Sequence, residues 1–345
     1  MSLRVAILGA GSIGTFLGLG LDRAGVDVIM LGRPWLAARH EREPLRATWL
    51  NGGSHTGSSR LKIVTELDEL VEVDAALLTC KSGDALDLAR AWRARTGPEG
   101  PPMWTMQNGI EGGRRLRGEG LHRVHDGSVT FNVVMDEDGV HQSTTGRVYL
   151  GRPSRRGPGE QLAETLARGG VECLTRAEMG PILRGKLVLN LNNGVCALTG
   201  LHIGASVASR DARVCFSMAV REALRVFDVA GLAVARVGRV PPRLLAPMLR
   251  LPDAILHRVA AGFVRIDPRA VSSTLDDLRR GRPTEINALH GAVSALGKTI
   301  AHPTPVNDFI TSGVLALSES PGPPVFWSPV ELRRRLELLA SGHGQ

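Results

Sequence analysis

The run LRVAIL (residues 3–8) leads without a break into Gly9-Ala10-Gly11-Ser12-Ile13-Gly14, and TFLGLGLDRAG carries a helical pattern from there to Gly25. A near-continuous branched apolar run is what a parallel strand buried on both faces requires. The following VDVIML (residues 26–31) has the same character. The GxGxxG motif therefore lies between a strand and a helix inside a βαβ unit, the context in which it has a mechanical meaning. Gly9 makes the tight turn, Gly11 lets backbone approach a pyrophosphate, and Gly14 lets the helix pack close on the strand. The phosphates then sit on the helix N-terminus, where free N–H groups and the helix dipole favour an anion. This predicts a dinucleotide site made by Gly9, Ala10, Gly11, Ser12, Ile13 and Gly14.

The end of the second strand bears on which dinucleotide binds. A carboxylate there would accept from a ribose 2′-hydroxyl, but the chain reads LGRP and presents Arg33. A guanidinium favours a 2′-phosphate, and so NADP over NAD; a surface arginine in an arginine-rich chain is the plainer alternative. Two later strands end at Thr79, just before Lys81, and at Met106, just before Gln107-Asn108-Gly109. Both loops follow carboxyl ends of strands, where ligands bind in doubly wound sheets. VHDGSVTFNVVMD and HQSTTGRVYLG alternate as antiparallel strands do and are expected to complete the sheet, with VECLTR (Val171 to Arg176) as its last strand.

After residue 178 the pattern turns helical, with helices expected at 179–199, 206–232, 242–262, 272–280, 285–300 and 305–318 and Gly or Pro between them. The class is α/β: a Rossmann-type nucleotide-binding domain (1–178), an all-helical domain (179–320) and a C-terminal extension (321–345). In that extension Ser328, Pro329 and Glu331 form a capping box before an amphipathic helix carrying Leu332, Leu336 and Leu339. Its apolar stripe either packs back on its own chain or meets a second copy in a homodimer.

Of 42 lysines and arginines only four are lysine: Lys62, Lys81, Lys186 and Lys298. Arginine keeps its proton at working pH, whereas lysine gives it up when burial lowers its pKa. Lys186 lies in ILRGKLVLNLNN (residues 182–193), an apolar helical run. Lys186, Asn190 and Asn193 are spaced i, i+4, i+7 and share one face. Buried without partners these groups would cost a few kcal/mol each (roughly 1–3 by mutational scales), so a polar cleft is expected. In SSTLDDLRRGRPTEIN, Ser273 and Glu285 can flank the same cleft. Helix capping by Ser273 and dipole complementarity at a helix start by Glu285 are the competing uses.

A net charge of +8 and a pI near 10.1 raise the question of nucleic acid. The arginines are scattered and aromatic residues are 4% of the chain, so no stacking platform forms. No run reaches the length of a membrane span, and the start MSLRVAILGAGSIG has no secretion-signal pattern, so a cytoplasmic chain is expected. Cys80, Cys173, Cys196 and Cys215 have no CxxC spacing, and His122 and His125 complete no metal set.

With Gly9, Gly11, Gly14, Arg33, Lys81, QNG, KLVLN and SSTLDDLRRGRPTEIN in this order, the chain resembles the ketopantoate reductase (2-dehydropantoate 2-reductase) family from about residue 3 to 318, where HPTPVNDFI is similar to a late family segment. The resemblance implies an NADP-binding Rossmann domain joined to a helical domain of the 6-phosphogluconate dehydrogenase C-terminal type, with the active site between them. It implies NADPH-dependent reduction of ketopantoate to pantoate, on the way to pantothenate and coenzyme A. Lys186 would protonate the carbonyl oxygen, Asn190 would hold that oxygen, Asn193 would lie on the substrate side, Ser273 would bind the substrate carboxylate, and Glu285 would contact substrate and orient the lysine. Lys81 and Asn108 would line the cofactor, and Arg33 would meet the 2′-phosphate. Two family asparagines are missing: Gly194 and Ala270 stand in their places, which puts the identity of the acid in question. Alternatives are a reductase of another 2-oxo acid or of an imine, and a non-catalytic NADP sensor.

Overall fold

The computed structural model describes residues 3–70, 72–152, 157–260 and 270–342. The chain divides into two compact units, Met1–Met179 and Gly180–Gln345. The first runs β1 (Arg4–Leu8), α1 (Ser12–Arg23), β2 (Asp27–Leu31), α2 (Pro34–Arg42), β3 (Arg46–Thr48), β4 (Ser54–Thr56), β5 (Leu61–Val64), β6 (Ala75–Leu78), α3 (Ala85–Thr96), β7 (Met103–Thr105), α4 (Gly112–Gly118), β8 (Val124–Val129), β9 (Val133–Asp136), β10 (Gly139–Gln142), β11 (Val148–Gly151), α5 (Pro158–Arg168) and β12 (Cys173–Arg176). Eight of these strands form one sheet in the order β12-β11-β8-β7-β6-β1-β2-β5. The six from β8 to β5 are parallel, and β11 turns antiparallel against β8.

Alternation along β1 explains the apolar run. Val5 and Ile7 join the core beneath α1 and α5, whereas Ala6 and Leu8 join the core beneath α3 and α4. Both faces are covered, so every position is apolar. β1 lies between β6 and β2, so the direction of winding reverses beside it and opens a crevice at its carboxyl end.

VECLTR supplies the edge strand β12, as its pattern predicts. The two segments expected to complete the sheet do so only in part. Val124–Val129 and Val148–Gly151 join it, but Val133–Asp136 and Gly139–Gln142 pair with each other in a separate sheet, β4-β3-β10-β9. The reason lies in α1, which is buried from Gly14 to Asp22 and so needs cover on the side away from the main sheet. The small sheet brings Trp49 and Phe131 to within 5.4 and 5.5 Å of Phe16 on α1.

The second unit is helical: α6 (Gly180–Asn190), α7 (Asn192–Thr199), α8 (Ile203–Ala208), α9 (Arg210–Val229), α10 (Pro242–Leu249), α11 (Asp253–Ala260), α12 (Ser273–Arg279), α13 (His290–Thr299), α14 (Pro305–Glu319) and α15 (Pro329–Gly342). Four expected helices are divided. The 179–199 segment breaks at Leu191. The 206–232 segment breaks at Ser209, whose extended backbone ends α8 and whose hydroxyl accepts from Ala212 N to cap α9. The 242–262 segment breaks before Pro252, which disfavours helical backbone at Leu251; residues 261–262 lie outside the described residues. The 285–300 segment starts with a short 3-10 turn, Ile286–Ala288.

The C-terminal helix α15 lies on α9, with Leu332 and Leu336 fully buried and Arg333 paired to Asp211 at 3.0 Å. The Ser328 hydroxyl accepts from Glu331 N at 3.2 Å, while the Glu331 carboxylate is taken by Arg334 and Arg335. Among the described residues, no helix is long and apolar enough to cross a membrane.

Candidate active site

In the first unit the crevice is built from the strand ends. Gly9 has φ +112°, and a Cβ there would lie 2.6 Å from Cys80 N, so only glycine fits. A Cβ on Gly14 would lie 2.3 Å from Gly9 O and 2.6 Å from Thr79 Oγ1. Gly11, by contrast, has nothing within 4 Å of a would-be Cβ. Helix α1 then begins at Ser12 with no acidic residue in its first turn, leaving Ser12 and Ile13 at a helix start suited to an anion.

Thr79 and Gln107 brace this turn, a task the sequence did not signal. Thr79 Oγ1 donates to Gly9 O at 2.7 Å. Gln107, buried, donates through Nε2 to Leu78 O at 3.0 Å and Cys80 O at 2.9 Å, tying the loop after β7 to the loop after β6. Their only signal was position at a strand's carboxyl end. Gly32 follows β2, and a Cβ there would lie 3.3 Å from Ala10 Cβ, which brings the end of β2 against the phosphate turn. Arg33 stands exposed at the cap of α2, Lys81 is exposed after β6, and Asn108 is partly buried after β7. The expected cofactor residues thus lie in the segments that follow the carboxyl ends of β1, β2, β6 and β7.

In the second unit, Lys186 and Asn190 are one turn apart on α6, each partly buried. Desolvation lowers the Lys186 pKa from 10.5 to about 8, and the negative charge of Glu285 acts in the opposite direction. Glu285 precedes the 3-10 turn and makes no side-chain cap there, so it is not spent on a helix end. Ser273 is likewise not a cap: Ser272 takes that place, its hydroxyl accepting from Leu275 N at 3.3 Å. Ser273 is exposed, and its Oγ accepts from Asn193 Nδ2 at 3.4 Å.

The three asparagines divide their tasks. Asn192 faces inward, its Oδ1 accepting from Ser206 Oγ at 2.9 Å, and so ties α7 to α8. Gly194 faces the interior too: a Cβ would lie 2.4 Å from His290 Nε2 and 2.5 Å from Ile310 Cγ2. No side chain fits at position 194, whatever its chemistry. Ala270 is also buried, and its carbonyl accepts from Ile203 N at 3.2 Å. Among the described residues no group of three or more His, Cys, Asp or Glu could hold a metal ion.

Comparison with known proteins bears on both units. Residues 5–155 match the family described as ketopantoate reductase PanE/ApbA, and residues 181–318 match its C-terminal domain. The chain belongs to the ketopantoate reductase family. It is accordingly an oxidoreductase acting on a CH–OH group, of a family that uses a nicotinamide cofactor. A 2-dehydropantoate 2-reductase of Mesorhizobium japonicum is 28% identical, over 93% of this chain and 99% of that protein. The crystal structure of a PanE/ApbA family ketopantoate reductase from Ralstonia eutropha JMP134 superposes with a TM-score of 0.74 at 25% identity, covering 92% of this chain and 99% of that one. A D-mandelate dehydrogenase solved with NADH and anilino(oxo)acetate has a TM-score of 0.72 at 20% identity, covering 92% of this chain and 99% of that one. That last likeness is one of fold alone, and it joins the ketopantoate reductase fold to a dehydrogenase with a different name.

Proposed function

We propose that this protein reduces a 2-oxo acid with NADPH, ketopantoate to pantoate being the reaction the family relatives favour. The observation that carries the reading is Lys186: a lysine on an apolar helix, in the field of Glu285, with its pKa brought down to about 8. NADPH, when bound, would supply hydride to the carbonyl carbon. An alkoxide then develops on the oxygen, and the Lys186 ammonium stabilises it and delivers the proton. Asn190, one turn further along α6, donates to the same oxygen. Asn193 and Ser273, joined at 3.4 Å, offer donors to the substrate carboxylate at the start of α7. Glu285 holds the lysine in its charged, oriented form.

Arg33 supports NADPH over NADH, because it is exposed just after β2 and no carboxylate occupies the end of that strand. A second reading, reduction of a different 2-oxo acid by the same chemistry, is favoured by Gly194 and Ala270, both buried where amides were expected. A panel of 2-oxo acids assayed with NADPH and with NADH, with and without ammonia, tests both. Turnover of ketopantoate supports the first reading, turnover of another acid alone supports the second, and ammonia-dependent turnover or none contradicts both.

A further inference from the structure

The proposed reaction makes no use of His290, yet this imidazole is fully buried beside the helices that carry Lys186, Asn190 and Asn193. Its Nε2 donates to Leu191 O at 2.9 Å, and its Nδ1 lies 2.8 Å from Asn307 Oδ1. Leu191 is the single residue between the last of α6, Asn190, and the first of α7, Asn192. The ring also takes the space a side chain at position 194 would need. Behind it Asn307 is held rigidly: Nδ2 donates to Glu222 Oε2 at 2.6 Å and to Ala219 O at 3.3 Å, and Asn307 N donates to Glu222 Oε2 at 2.8 Å. A braced, buried polar group at a helix junction is costly to leave unpaired, so its partners fix where it sits.

His290 follows Glu285 by five residues, with the 3-10 turn and Leu289 between them. This short segment meets the α6–α7 pair twice, through the charge of Glu285 on Lys186 and through the bond from His290 to Leu191 O. We propose that His290 is a positioning residue: by anchoring the Leu191 carbonyl and filling the space over Gly194, it fixes the α6–α7 junction and so the placement of Lys186 and Asn190 against Glu285. The inference rests on the reading of Lys186 and Glu285 as the working pair. Burial pushes the imidazole pKa down to about 4, its bonds to Asn307 and Leu191 act in the opposite direction, and its part in the proposal is geometric.

Two conservative changes test this. His290→Leu keeps bulk and removes the donor; His290→Gln keeps a donor. With a 2-oxo acid that the wild type reduces, His290→Leu should lower kcat about tenfold or more and move the alkaline limb of the pH profile, with NADPH Kd unchanged within about twofold. His290→Gln should restore most of the rate. A folded His290→Leu protein with wild-type kcat and an unmoved alkaline limb overturns the proposal. Should His290→Leu not fold, Asn307→Leu, which frees the ring from behind, carries the same expectation and the same contrary result. The chain has only four lysines, so isotope-labelled lysine resonances resolve Lys186 without any turnover. If no 2-oxo acid reacts, the functional reading fails, and the positioning is still tested: the Lys186 titration should shift in His290→Leu and return in His290→Gln, and an unmoved titration overturns it.

Discussion

The side-chain amide of Asn193 donates to the hydroxyl of Ser273 at 3.4 Å, joining the start of α7 to the start of α12 across 80 residues of sequence. Neither group is used up locally, because Ser272 caps α12 and Asn192 makes the inward contact to α8. The pair is therefore an exposed donor set in the same helical unit as Lys186. Ser273→Ala and Asn193→Ala should each raise KM for the 2-oxo acid by about tenfold while kcat changes less, since lost carboxylate contacts act on ground and transition states alike. A kcat loss at unchanged KM would place these residues elsewhere in the reaction.

The glycines of the phosphate turn should separate folding from binding. Gly14→Ala forces a Cβ against Gly9 O and Thr79 Oγ1 and should lower the Tm. Gly11→Ala meets nothing within 4 Å and should leave the Tm unchanged while weakening NADPH binding at least tenfold, roughly the loss of one charge-assisted contact. Equal NADPH affinity in Gly11→Ala, measured by fluorescence titration, would remove the pyrophosphate from this turn.

Arg33→Ala should weaken NADPH binding by roughly 1.5–3 kcal/mol and leave NADH binding nearly as it was, because only the 2′-phosphate distinguishes the two. Comparable losses for both cofactors would mean that Arg33 does not read the phosphate.

Lys186 also makes a stability prediction whose sign is fixed by its pKa. The folded-state value, about 8, lies below the ordinary 10.5, so between those limits the folded protein binds fewer protons than the unfolded chain. Stability must then rise with pH across that window. Relative to Lys186→Met, the wild type should gain roughly 1–3 kcal/mol between about pH 8 and 10.5, and show no slope against it at lower pH. Parallel stability curves in urea at those pH values would show that the lysine is not desolvated.

Arg213 is 2% exposed and donates to Val207 O, Ala208 O, Leu249 O and Leu251 O, binding the ends of α8 and α10 to α9. Arg213→Met should cost about 3 kcal/mol or more in denaturant unfolding, since it strands buried carbonyls. A loss below about 0.5 kcal/mol would show that water replaces the guanidinium.

The nucleotide-binding unit was legible because its signals are local: a buried strand, three glycines with distinct steric tasks, and a helix start. Its small second sheet was not, because β3 and β4 are three residues each and owe their pairing to the aromatic cover that Phe16 demands. In the helical unit the spacing of Lys186, Asn190 and Asn193 was readable, but the break at Leu191 was not. The partner at that break, His290, lies 99 residues away. Position 194 shows the same limit. Read along the chain, Gly194 is a missing amide, whereas in three dimensions it is the space occupied by a histidine ring.

The central claim is that Lys186 is the proton donor in reduction of a 2-oxo acid, and the most direct test follows NADPH absorbance with ketopantoate for the wild type and Lys186→Ala, alongside NADPH binding. The account predicts turnover in the wild type whose kcat/KM falls as pH rises through about 8, and a loss of about 10²–10⁴-fold in Lys186→Ala with NADPH affinity retained. A Lys186→Ala enzyme that binds NADPH and reduces the substrate at the wild-type rate would contradict it.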